Sequence, residues 1–379
     1  MSTVTKLSPP APDWTARARD LGPRFAARAA EADAGDRFVA ANFADLKAAG
    51  LLAAGVPAEL GGGGAGPADL AAMLTELARH CGSTALAFSM HTHQVAMATW
   101  RWRHQGAPVE PLLRRVAAEN IVLLSSGGSD WLAASGTATR ADGGYRIDAR
   151  KIFASGAPAG DLLLTSAVLS DPDKGNEVLH FAVPMTSPAV RVLDTWRALG
   201  MRGTGSHDIE ITGFFLPEAA VAGRRPQGKW HPLFHIVSMI ALPLIYAVYL
   251  GVAEAARDRA LAMAERRKGD PGLPYVVGEM ERQLLAARLA HRHMLDCAAT
   301  DDPGPATTNA VLAGRSLVAT AVLATVDKAL EVAGGVAFYR DQTLERLFRD
   351  LQAARFHPLA DKAQARLAGR YALGLPLDE

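Results

Sequence analysis

The sequence predicts a mainly α-helical protein with a central β-domain. Three observations carry this. Apolar residues recur three and four apart before about residue 120 and again after about residue 230. Between them lie short β-branched runs punctuated by Gly, Asp and Pro. A single apolar segment, residues 233–253, holds no formally charged side chain. The predicted domains are an N-terminal helical domain over 12–120, a middle β-barrel domain over 121–225 and a C-terminal four-helix bundle over 230–379.

In order along the chain, residues 26–52 are Ala-rich with helical spacing and are predicted as helix, ending at Gly50 and Gly55. The run from Pro57 to Pro67 contains four consecutive glycines, Gly61 to Gly64, and is predicted as a loop. Its spacing does not fit a phosphate-binding loop. Helices follow over 68–80 and 81–102. Strands are predicted near 121–124, 145–148, 161–169, 178–183, 190–193 and 208–212, and their close spacing suggests a small antiparallel barrel or sandwich. After the apolar segment, helices are predicted over 254–267, 275–300, 307–333, 344–352 and 360–373. Long helices with short turns describe a bundle. A helix apolar on every side is either a protein core or a membrane span. No second such segment exists, so 233–253 is read as the bundle's buried helix and no membrane partner is expected.

Composition narrows the function. The 379 residues are 49% hydrophobic and 21% charged, enough for a large core. Lys+Arg is 40 and Asp+Glu is 39, so nucleic acid is not an expected partner. Cys81 and Cys297 lie far apart, without disulfide or metal spacing, and fit a reducing cytoplasm. The N-terminal stretch shows no apolar leader.

Four segments could carry chemistry. Ser125-Ser-Gly-Gly-Ser-Asp130, after a strand, reads either as an ordinary turn or as a set of donors, with Ser126 and Ser129 facing an anion or heterocycle. Lys151-Ile-Phe-Ala-Ser-Gly156 places Phe153 and Ser155 two apart, on one face if the strand continues. That pair could stack on and bond a planar cofactor, or be a half-buried strand. Gly200 to Asp208 is rich in glycine and hydroxyls and reads as a rim or a long turn. His357 precedes Pro358, which pushes it out of helical geometry. It is an acid–base candidate or a lone surface histidine. His91 and His93, like His291 and His293, are two apart and so on different helix faces, and no metal site is expected.

Together these segments resemble the acyl-CoA dehydrogenase superfamily, from about residue 40 to the C-terminus. Asp45-Leu-Lys-Ala-Ala-Gly-Leu-Leu with Pro57-Ala-Glu-Leu-Gly-Gly resembles its N-terminal signature. Ser126-Gly-Gly-Ser-Asp130 resembles its flavin-contacting loop, and Lys151-Ile-Phe-Ala-Ser-Gly156 the strand beside the isoalloxazine ring. Leu199 to Asp208 with Phe215-Leu-Pro-Glu218 resembles the end of its β-domain. Gly334-Gly335, Leu344-Glu-Arg346 and Arg349-Asp350 resemble its late signature. The resemblance implies a flavin cofactor, FAD by family default, contacted by Ser126, Ser129, Phe153, Ser155, Gly334, Gly335 and Arg346. It also implies a homodimer or homotetramer.

The departures point to a side branch. Where the family's proton-abstracting Glu would fall, this chain has Pro358, and the other known location reads Ile240-Ala-Leu-Pro-Leu-Ile without a carboxylate. The adenosine-contacting pattern is replaced by Arg266-Arg-Lys-Gly-Asp-Pro-Gly272, so FMN is an option. These losses resemble the dibenzothiophene-monooxygenase-like and amine-hydroxylase-like enzymes, which take reduced flavin from a separate reductase and insert oxygen into a small molecule. In that reading Ser155 accepts from flavin N5–H, His357 supplies a proton, and His91 and His93 border the substrate. The alternatives are an acyl thioester dehydrogenase with an atypical base, and a catalytically silent flavin-binding or interaction protein.

Overall fold

The structure, a computed structural model, describes residues 12–377 except 174 and 301, and every side chain among them except those of 127 and 129. Helices α1 (Trp14–Ala34), α2 (Ala40–Ala48), α3 (Pro67–His80), α4 (Gly82–Gln105) and α5 (Glu110–Glu119) form the first block. The helix predicted over 26–52 is in fact two helices and a short 3-10 turn. Asp36 adopts a left-handed conformation, and the Arg37 amide turns back to the Ala32 carbonyl at 2.9 Å, so α1 cannot run on.

The middle block holds β1 (Leu123–Ser125), the short α6 (Gly127–Asp130), β2 (Thr137–Ala141), β3 (Gly144–Lys151), β4 (Leu162–Leu169), β5 (Glu177–Pro184), β6 (Val190–Val192), β7 (Ile209–Pro217) and β8 (Gly223–Pro226). They form one eight-stranded sheet in the order β6-β7-β3-β2-β4-β5-β8, with β1 beside β4. β1–β4 and β2–β4 are parallel, which the hairpin-like turn signals did not predict. β2 and β8 were not predicted at all. Their sequences, Thr-Ala-Thr-Arg-Ala and Gly-Arg-Arg-Pro, lack the aliphatic alternation that marks a strand. β3 stops at Lys151, and Phe153 has φ 57°, so Phe153 and Ser155 do not share a strand face as expected.

The C-terminal block holds α7 (Pro232–Ala264), α8 (Leu273–Thr300), α9 (Pro305–Ala333), α10 (Thr343–Leu351) and α11 (Asp361–Ala372). α7 packs on α3 and α4 of the first block and on α8, α9 and α10 of its own. α7 and α9 are both apolar enough to cross a membrane, yet 94% and 61% of their most apolar windows are buried within the protein. Pro243 removes one amide from α7. Its own carbonyl accepts from His291 Nε2 on α8 at 2.8 Å, which ties the interrupted turn to the neighbouring helix.

Gly251 sets how closely α7 approaches α3. A Cβ there would lie 2.2 Å from the Thr75 carbonyl oxygen and 2.8 Å from Ala78 Cβ. Gly251→Leu is expected to lower stability by about 1–3 kcal/mol or more, read as a fall in urea midpoint. An unchanged midpoint would show that the two helices separate freely.

Candidate functional site

A cavity of about 490 Å³ lies where the sheet meets α4 and α7. Met90, Met97, Val237, Leu242, Ile245, Leu162 and Phe181 give it apolar walls. Ser126, Asp130, Thr165, His93 and His357 supply the polar atoms used below.

The polar floor is built around an ion pair. Lys151, fully buried, places Nζ 2.6 Å from Asp130 Oδ2 and 2.7 Å from the Ser135 carbonyl. Ser135 donates to the other carboxylate oxygen, and Ser126 Oγ donates to Oδ2 at 2.9 Å. Burial pushes Lys151 below the ordinary lysine range, and Asp130 opposes that shift. With its proton committed to Asp130, the Ser126 hydroxyl must accept from Thr165 at 2.8 Å. Ser126 is therefore not the side-chain donor to flavin that the loop pattern suggested; its proton is used inside the protein. Ser129's side chain lies outside the described residues.

The two α4 histidines separate. His91 donates from Nε2 to the Leu52 carbonyl at 2.9 Å and accepts the Leu123 amide on Nδ1 at 3.0 Å. Both nitrogens are used, and His91 does not line the cavity. The expectation that it borders the substrate is corrected: it fastens β1 to α4. His93 donates from Nδ1 to the Ser89 carbonyl at 3.0 Å. It lines the cavity, and no hydrogen bond engages its Nε2 among the described residues. Burial lowers both rings to about 4, so each is neutral at pH 7.

His357 also reaches the cavity. Its Nε2 lies 2.5 Å from the hydroxyl of buried Tyr249 on α7. Burial first, then the Arg315 charge and His93, lower it to about 3. Arg315 is 1% exposed and extends Nη2 from α9 to the carbonyls of Ala354 (3.2 Å), Arg355 (3.1 Å) and His357 (2.7 Å). One guanidinium thus holds the turn that carries His357. Tyr249 and Arg315 were not predicted from sequence, because a tyrosine and an arginine inside long helices give no local signal.

Ser155 is half-buried and its Oγ lies 2.8 Å from Ser206 Oγ. Phe153 is 57% exposed and meets Trp196 edge-on at 6.0 Å between centroids. An exposed aromatic face beside an engaged hydroxyl suits a planar ring. Neither residue lines the 490 Å³ cavity. Gly334, Gly335 and Arg346 stand apart from it as well. The glycines end α9, and Arg346 lines a second hollow of about 210 Å³ with Asp33, Arg202 and Glu345. Arg349 grips Asp33 at 2.6 Å and 2.9 Å, an ion pair joining α10 to α1. Asp350, raised to about 6 by burial, accepts the Met201 amide.

Two outcomes follow. A histidine displaced from 6.5 to about 4 carries on the order of 3 kcal/mol of stability that is present above pH 6.5 and lost as pH falls toward 4. His91→Gln should therefore flatten the fall of the urea midpoint between those pH values, and an unchanged slope contradicts the assignment. Lys151→Met leaves the Asp130 carboxylate buried without its cation and should cost about 3–5 kcal/mol. Adding Asp130→Asn should recover part of that loss, whereas simple additivity would mean that the two charges are not coupled.

Comparison with known proteins accords with this geometry. The acyl-CoA dehydrogenase N-terminal, middle and C-terminal domains match residues 16–104, 125–214 and 244–362. YdbM of Bacillus subtilis, grouped by name with the acyl-CoA dehydrogenases, is 29% identical over 92% of this chain and 94% of its own. The amino sugar nitrososynthase DnmZ of Streptomyces peucetius is 31% identical over 83% and 82%, and the dibenzothiophene monooxygenase of Mycolicibacterium goodii 30% over 94% and 92%. The crystal structure of KijD3 with FMN and dTDP-3-amino-2,3,6-trideoxy-4-keto-3-methyl-D-glucose superposes with TM-score 0.87 at 28% identity, covering 98% of this chain and 96% of that one. The chain belongs to the acyl-CoA dehydrogenase superfamily of flavin-dependent oxidoreductases.

Proposed function

We propose that this protein is a reduced-flavin-dependent monooxygenase acting on a small molecule. One observation carries the reading: among the described residues, Asp130 is the only carboxylate lining the cavity, and Lys151, Ser126 and Ser135 hold it. A dehydrogenase of this fold needs a free carboxylate there. Oxygen insertion needs an apolar, water-poor pocket and groups that hold or move single protons.

Reduced flavin, when bound, supplies the two electrons with which O₂ places one oxygen atom on the substrate and leaves the other as water. The chain's residues do the rest. Phe153 and Ser155 would hold the ring, with Ser155 Oγ accepting from N5–H. Ser126 would contribute through its backbone. Met90, Met97, Val237 and Leu242 would present an apolar wall to the substrate. His93 Nε2 is a free acceptor, which suits a substrate that offers an N–H or O–H. His357, neutral at pH 7 and oriented by Tyr249, would hydrogen-bond the departing oxygen, whose proton would come from solvent.

FMN, or FAD as the family default, would arrive from a separate reductase. Gly334, Gly335 and Arg346 would meet the cofactor only in an assembled homodimer or homotetramer, since they stand apart from the cavity in one chain. The exposed Leu285, Leu289, Leu317 and Phe338 offer apolar surface for such an assembly. We place the enzyme in the cytoplasm and divide it at 12–120, 121–225 and 230–379.

The test uses purified protein. With reduced FMN or FAD and a sulfur-, nitrogen- or aromatic-centred substrate panel, oxygen uptake coupled to an oxygenated product is expected. Anaerobic bleaching of bound oxidised flavin by an acyl-CoA would instead support the dehydrogenase, and no turnover in either arm the silent protein. His357→Ala should slow oxygen transfer at least tenfold; an unchanged rate removes His357 from the site. Because His93 and His357 become cationic only below about 4 and 3, the single-turnover rate should stay flat from pH 8 to 5.5. A fall at lower pH with a midpoint near 6.5 would show that these rings are solvated.

A further inference from the structure

The proton of Ser155 has a direction that can be read from its neighbours. At the inner end, the Met201 carbonyl can only accept. Thr204 Oγ1 donates to it at 2.9 Å. A hydroxyl carries one proton, so the 2.7 Å contact between Thr204 and Ser206 requires Ser206 to donate to Thr204. The 2.8 Å contact between Ser206 and Ser155 then requires Ser155 to donate to Ser206. Thr204 and Ser206 are 0% and 4% exposed, which leaves solvent little access to reverse the order. The inner end is itself fixed. Met201 has φ 52°, and its amide is bound by Asp350 of α10. At the outer end Ser155 is left with lone pairs and no proton to give.

We propose that Thr204 and Ser206 are positioning residues that make Ser155 an acceptor only, and that this chain thereby selects reduced over oxidised flavin. The inference rests on the reading above that places flavin N5 at Ser155. Reduced flavin carries a hydrogen on N5 and satisfies the Ser155 lone pair. Oxidised flavin presents a lone pair at N5, and two acceptors then face each other. An unsatisfied acceptor of this kind is expected to weaken oxidised binding about 10- to 100-fold relative to reduced.

The experiment is equilibrium binding to the full chain, with FMN and FAD each titrated in oxidised form and, anaerobically, in dithionite-reduced form. Wild type should favour the reduced form by that factor. Ser206→Ala and Thr204→Val free the Ser155 proton to reach oxidised N5, so both should tighten oxidised binding and lose most of the preference. Thr204→Ser keeps the chain of hydroxyls and should keep the wild-type ratio, and it serves if Thr204→Val fails to fold. Ser155→Ala should lose the preference through weaker reduced binding. If Ser155→Ala alters neither affinity, flavin N5 is not at Ser155 and the site reading fails. If Ser155→Ala loses the preference while Ser206→Ala and Thr204→Val retain it, the relay is overturned and the site reading stands. Equal weakening of both redox forms in the relay variants would show a structural role only and would also overturn it.

Discussion

Helix α7 carries no charged side chain from Pro232 to Ala253, and every residue from Ser238 to Ala253 is buried. That segment cannot face water over its length, so the N-terminal helices and the later helices must both close on it. The close approach at Gly251 belongs to this constraint, as does the His291 bond that covers the Pro243 carbonyl. The first half of α7 forms the cavity wall, and the second half carries Tyr246 and Tyr249 under the turn that holds His357. The cavity wall is therefore set by how one helix is buried, while Ser155 and His357 are carried to the site on turns.

Inside that frame the buried polar groups work as neutral or paired units. Burial holds His91, His93 and His357 uncharged. Asp130 is matched by Lys151. Arg315 has its charge met by three carbonyls, although its Nε finds no partner. A carboxylate placed freely in such a cavity would be a base. Its only acidic group, among the described residues, is already engaged. The connection from Asp350 through Met201, Thr204 and Ser206 to Ser155 joins α10 to the β-domain, so the late helices help to set the proton at the candidate flavin site.

Much of the architecture was legible because its signals are local. The strand runs and the uncharged α7 segment each declare themselves within ten to twenty residues. β2 and β8 did not, since their stability comes from neighbours: Arg224 of β8 is held by Glu177 and Tyr145, far away in sequence. The break between α1 and α2 was hidden behind continuous Ala-rich spacing. In the site, the segments carrying chemistry were found but their roles shifted. Asp130 and Lys151 bracket the two motifs that were read for hydroxyls and an aromatic, yet they pair with each other across 21 residues. His91 and His93 look equivalent in sequence. Only the amide of Leu123 and the carbonyl of Leu52 distinguish the structural ring from the one that opens to the cavity. Thr204 and Ser206 lay in a segment read as a rim or a turn, and nothing local told which way their protons point.

The central claim is that a reducible ring seats its reactive nitrogen at Ser155 with no carboxylate above it. A crystal structure of the protein grown anaerobically with reduced flavin tests this most directly. The account predicts N5 within about 3.2 Å of Ser155 Oγ, with His357 and His93 across the ring's substrate side. An Asp or Glu carboxylate over N5, or a flavin seated away from Ser155, would contradict it.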